Sequence, residues 1–124
     1  MRGFDTSTIC DAAAANELWS RGYCFAGRYY GLDSTKRLTS AEAAILAANN
    51  LAIVSLYEDD GKPASYYTTA RGTADATRAV AQAGAAGQPG GTPIYFCVDY
   101  EATADDIANG ITDYFTAVAS VLNG

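Results

Sequence analysis

The chain has 124 residues, 49% of them hydrophobic, enough to bury one core and so to form a single domain over 1–124. A formal net charge of −6, with Lys and Arg scattered, leaves no basic stripe for phosphates, and no apolar run approaches the roughly 20 residues that span a bilayer; nucleic acid and membrane are both excluded as expected partners. With no histidine, neither a Ser-His-Asp nor a Cys-His nucleophile system can be built within the chain, and acid or base work near neutral pH falls to carboxylates or tyrosines.

Met1 leads into GFDT rather than into a charged and then apolar export signal, so the sequence by itself gives no address. Gly3 to Asp5 forms a short first strand. Thr6 to Thr8 supplies hydroxyls to cap a helix from about Asp11 to Arg21, which Gly22 ends. Tyr23 to Tyr30 is a second strand, and Gly31 to Lys36 a loop. In TSAEA a hydroxyl at Thr39 precedes Glu42 at capping-box spacing, opening a helix through Ala48 that stops at Asn49-Asn50.

Leu51 to Tyr57 is the third strand, and Glu58 to Ser65 a polar loop. An Ala-rich helix follows from about Thr73 to Ala86. GQPGGTP can continue neither element and delivers the chain into a fourth strand, Ile94 to Tyr100. Asp105 and Asp106 favour a helix N-terminus, and apolar residues then recur at helical spacing from Ile107 to Leu122. Four βα units in succession imply an α/β fold with parallel strands and right-handed crossovers.

In such folds ligands bind at the carboxyl ends of the strands. Asp5 closes the first strand, Arg28 and Tyr29 the second, Tyr57 and Glu58 the third, and the D-x-E of PIYFCVDYE the fourth. Strand alternation puts Tyr95, Cys97, Asp99 and Glu101 on one face, and the bulky Ile94, Phe96, Val98 and Tyr100 on the face that packs under helices. Four strands thus place polar groups at one end of the sheet. Cys10, Cys24 and Cys97 lack C-x-x-C spacing and read as small buried residues rather than as metal or redox ligands.

The stretches GFDT, FAGRYY, LTSAEAAIL, LAIVSLYE, GTPIYFCVDYE and GITDYF, in that order, resemble the glycoside-hydrolase-like domain of bacterial, notably actinobacterial, proteins. That domain is itself similar to the glycoside hydrolase family 25 muramidases, which cut cell-wall glycan on a modified TIM barrel. The resemblance implies Glu101 as general acid, with Asp99 and Asp5 as its carboxylate partners, and an extracytoplasmic role on a peptidoglycan-type glycan. The chemistry suits those residue types: one protonated carboxyl donates to the leaving oxygen while another group supports an oxocarbenium-like state or activates water, and acids crowded together hold one proton.

Around them, Arg28 is placed to orient a carboxylate or steady Glu58, and Tyr29, Tyr30, Tyr57, Tyr66 and Tyr67 to stack on sugar faces, or simply to pack half-buried. Tyr29, Tyr57, Glu58 and Arg28 are therefore the candidate substrate contacts. No cofactor or metal is called for; a weaker alternative makes Asp5, Asp99 and Glu101 an oxygen site for Mg or Ca. A closed TIM barrel needs 200 or more residues, roughly, so four βα units are its first half. A homodimer or the remainder of a longer chain is then expected to complete the barrel. The competing reading is a carbohydrate-binding or scaffold domain without turnover, or an inactive half-barrel fragment.

Overall fold

A computed structural model describes residues 1–124. Its strands are β1 (Arg2–Asp5), β2 (Tyr23–Tyr30), β3 (Ala52–Tyr57) and β4 (Ile94–Phe96), hydrogen-bonded in the order β1-β2-β3-β4 with every pair parallel. Between and after them come α1 (Ala12–Ser20), α2 (Ser40–Ala48), α3 (Thr69–Ala86), α4 (Ala104–Asp106), a π turn (Ile107–Ile111) and α5 (Thr112–Leu122). Sequential parallel strands joined by right-handed crossovers carry all their helices on one face. The architecture is that of half a TIM-type (β/α) barrel.

Side-chain alternation sorts the two faces. Ala26, Arg28 and Tyr30 of β2, and Ser55 and Tyr57 of β3, point under the helices and are buried. There Ala26, Tyr30 and Tyr57 join Leu46 and Leu51 with Ala79, Ala83 and Ala86 of α3 in one core. A second core of Tyr67, Ala76, Ile111, Tyr114 and Val118 lies between α3 and α5. Those helices meet closely because position 72 is glycine: a Cβ there would lie 2.3 Å from the Tyr114 carbonyl oxygen.

The other face carries Gly3, Phe25, Gly27, Val54, Leu56 and Tyr95, and no helix covers it. Tyr95 is 56% exposed in the middle of β4. Parallel sheets are ordinarily covered on both faces, so this surface is unusual for its class. Both outer strands, β1 and β4, also leave one edge unpaired.

β2 has the expected bounds, and Thr39 caps α2 by accepting from the Glu42 N–H at 3.2 Å. Elsewhere the structure corrects the reading. The cap of α1 is Asp11, whose carboxylate accepts from the Ala14 N–H at 2.8 Å; the Thr6 hydroxyl instead accepts from Thr8, closing a local turn. α3 starts a turn early, at Thr69, because the Thr68 hydroxyl accepts from the Arg71 N–H. β4 stops at Phe96, since its partner β3 has ended at Tyr57, so strand alternation no longer governs Asp99 and Glu101. Finally, the last helix opens on a Thr103–Asp106 capping box and passes through the π turn, where Gly110 lies against the Tyr67 carbonyl: a Cβ would come within 2.7 Å of it.

Candidate active site

At the carboxyl ends of the strands, Asp5 and Tyr29 meet on the uncovered side of the sheet. The Tyr29 hydroxyl donates to Asp5 Oδ2 at 2.6 Å, which fixes the carboxylate's orientation. Burial, and then Asp5 itself, hold the Tyr29 phenol well above its ordinary value. Gly27 makes the approach possible, because a Cβ at that position would stand 2.9 Å from the Asp5 Cβ and 3.2 Å from Leu56 Cδ1. Lys36 closes this corner: its ammonium lies 5.0 Å from the Tyr29 ring centroid and 3.4 Å from Glu58 Oε1.

Cys97 follows β4 at the same end of the sheet. Burial pushes its thiol up, Glu58 and Asp99 push it further, Lys36 opposes them, and Asp5 adds a smaller push. Asp5, Glu58 and Asp99 follow β1, β3 and β4 at the same end of the parallel sheet. Asp99 is set by its backbone, whose N–H donates to Gly61 O at 3.1 Å. The same Gly61 oxygen accepts from the Tyr67 hydroxyl at 2.6 Å, with the Cys97 carbonyl oxygen 3.1 Å from that hydroxyl. The Asp99 side chain is 56% exposed, with Lys62 3.9 Å away.

Glu101 is exposed. Asp5, Asp99 and Glu101 are not gathered closely enough to form a cage for a cation, so the alternative of a Mg or Ca site finds no ligand set.

Two expected substrate contacts are corrected. Arg28 is fully enclosed: Nε donates to Glu42 Oε1 at 2.7 Å, Nη2 to Glu42 Oε2 at 3.0 Å and to Lys36 O at 3.1 Å, and Nη1 to Thr6 O. It steadies Glu42, not Glu58, and presents nothing to a ligand. The physical reason is alternation on β2, which turns Arg28 under α2 while Tyr29 faces the open side. Tyr57, 2% exposed, likewise points into the helix layer, where its hydroxyl donates to Asp59 at 2.6 Å and accepts from Arg78 at 2.7 Å. Tyr30 and Tyr67 are buried as well, and Tyr66 donates to Asp75 at 2.6 Å.

Sequence reasoning missed Lys36, Gly61 and the Arg28–Glu42 pair. Only the Thr39-to-Glu42 spacing pointed at Glu42, and it pointed to a cap. The carboxylate instead accepts the Cys10 N–H at 2.8 Å along with Arg28, so one buried pair ties the loop after β1 and the loop after β2 to α2.

This geometry, acids of successive parallel strands on one rim of a half-barrel, can be set against known proteins. A family model for the Rv2525c-like glycoside hydrolase-like domain matches residues 16–124. The chain belongs to that family. The match begins after β1, so Asp5 lies outside it. Two solved structures of the Tat-secreted protein Rv2525c of Mycobacterium tuberculosis superpose on the chain at 26% identity. The complex with HEPES does so with a TM-score of 0.82, over 95% of this chain and 62% of that one. The complex with L-tartrate gives 0.83, over 95% and 61%. Among sequence relatives, the uncharacterized protein YbfG of Bacillus subtilis (strain 168) is 38% identical over 94% of this chain, and the uncharacterized protein FadG of the same strain 29% over 97%. The chain spans 17% and 22% of those two relatives' lengths.

Proposed function

We propose that residues 1–124 act as one glycoside-hydrolase-like domain that hydrolyses a cell-wall glycan of the peptidoglycan type at the carboxyl-end rim of its sheet. The observation that carries this reading is the placement of Asp5, held by the Tyr29 hydroxyl, with Glu58 and Asp99 beyond the carboxyl ends of parallel strands in a half-barrel of this family. Glu101 serves as general acid, Asp5 and Asp99 support the developing positive charge or activate water, and Tyr29 and Glu58 contact the sugar. The reaction needs no cofactor. Export of the relative Rv2525c by the Tat route supports an extracytoplasmic place of action.

Completion of the barrel belongs to the same reading. The free edges of β1 and β4 and the uncovered face around Tyr95 suit further βα units, from a second copy of the chain or from more polypeptide. Such units would cover Glu101, which stands exposed on the chain alone.

That exposure favours a second reading, a carbohydrate-binding domain without turnover. Release of reducing ends from purified cell walls separates the two. Hydrolysis that falls about 10²- to 10⁴-fold in Glu101→Gln supports the first. Equal release by both proteins removes Glu101 from its role, and glycan binding with no release at all supports the second. Light scattering in parallel reports whether the chain pairs with itself.

A further inference from the structure

Away from the rim, the helix layer contains a cavity of about 370 Å³. It lies between α2 and the end of α3, over β2 and β3, and shares no residue with the acidic site. It exists because the helices show small side chains there: Ala43 and Ala47 on α2, and Ala86 followed by Gly87 on α3. Gly87 adopts the left-handed conformation that ends α3, and Pro89 and Pro93 stiffen the rim beyond it. Its size falls in the range of small-molecule sites, roughly 300–1,000 Å³.

The lining is apolar except at one place. Gln88 Oε1 accepts from the Ser55 hydroxyl at 2.7 Å and the Tyr30 hydroxyl at 2.9 Å, while Gln88 Nε2 donates to Thr92 Oγ1 at 2.8 Å and to the Thr92 and Pro93 carbonyls at 3.3 Å. Every proton of this cluster is already committed. What remains for a visitor is acceptor capacity on the Tyr30 and Ser55 hydroxyl oxygens. No charged side chain lines the cavity, so nothing offsets the desolvation of an ion.

We propose that this cavity binds a neutral small molecule with an apolar body and a single hydrogen-bond-donating head, an alcohol or phenol, the head seated on the Tyr30–Ser55–Gln88 cluster. The probe is 4-ethylphenol, titrated into the 124-residue protein by NMR, with 4-ethylanisole, which has the same body and no donor, as control. Saturable binding that moves the Ser55 and Gln88 amides, with the anisole about tenfold weaker, is the expected result. Ala47→Trp, at an exposed position on the cavity wall, abolishes it, and Ala43→Phe does the same from inside. Absence of saturable binding to the wild type overturns the proposal. So do shifts confined to other residues, equal binding of phenol and anisole, or binding unchanged in a folded variant of either kind.

Discussion

Two sets of acids in this molecule have opposite surroundings. Glu42 and Asp75 are buried, and every oxygen is occupied: Glu42 by Arg28 and the Cys10 N–H, Asp75 by the hydroxyls of Tyr66 and Tyr114 and by Arg78. Asp5, Asp99 and Glu101 are exposed; Asp5 has one tyrosine donor, and Asp99 a distant lysine. A carboxylate whose lone pairs are all spent on protein holds the fold together, and one that keeps lone pairs facing water is free to meet a ligand. Substitutions in the first set should therefore cost stability, and those in the second should leave it alone.

The largest effect is expected at Glu42. Glu42→Ala strands a buried guanidinium and should lower stability by about 3–5 kcal/mol, read by urea unfolding; a loss under 1 kcal/mol would mean that water reaches Arg28. Next comes alkaline pH. Burial pushes Tyr67 up to about 12 from 10, and holds Tyr57, Tyr66 and Tyr114 higher still with Asp75 nearby. A folded-state pKa above the unfolded one gives stability that is complete below pH 10 and lost as pH rises through about 12. The phenolate absorbance of these four tyrosines and the loss of near-UV dichroism should then rise together in that window. Ionisation of Tyr57, Tyr66, Tyr67 or Tyr114 at pH 10 with the fold intact would contradict it.

Tyr114→Phe removes one of two hydroxyls that donate to Asp75 and should cost about 1 kcal/mol, because Tyr66 and Arg78 remain. The smallest effect is at the rim. Asp99→Asn should move stability by no more than about 0.5 kcal/mol while reducing any glycan turnover. A large destabilisation there would move Asp99 into the buried class.

The contrast also shows what a sequence reveals. Periodicity and punctuation placed all four strands and the helix layer, because GYCFAGRYYG and LAIVSLYE declare themselves locally. Asp5, Glu58 and Asp99 could be placed on one rim for the same reason: position at a strand end is a property of the chain order. The partners of Glu42 and Asp75 were not legible. Arg28 lies 14 residues before Glu42 and Tyr114 lies 39 after Asp75, and only packing brings them together. For Asp75 one local clue existed. A poor helix former sits in mid-helix on the same side as Gly72, Ala76 and Ala79, where an unpartnered charge would be costly.

Strand β1 has a single neighbour, four residues on one parallel partner, yet the Thr6 carbonyl just beyond it is held by Arg28 and the Thr6 N–H by Gly27 O. Opening of this strand should therefore start at Arg2 and halt before Thr6, so that amide exchange slows steeply along five residues. Asp5 sits at that boundary, next to the clamped Thr6. The same clamp that closes off Arg28 from any ligand keeps the rim's first carboxylate in place while the strand behind it breathes.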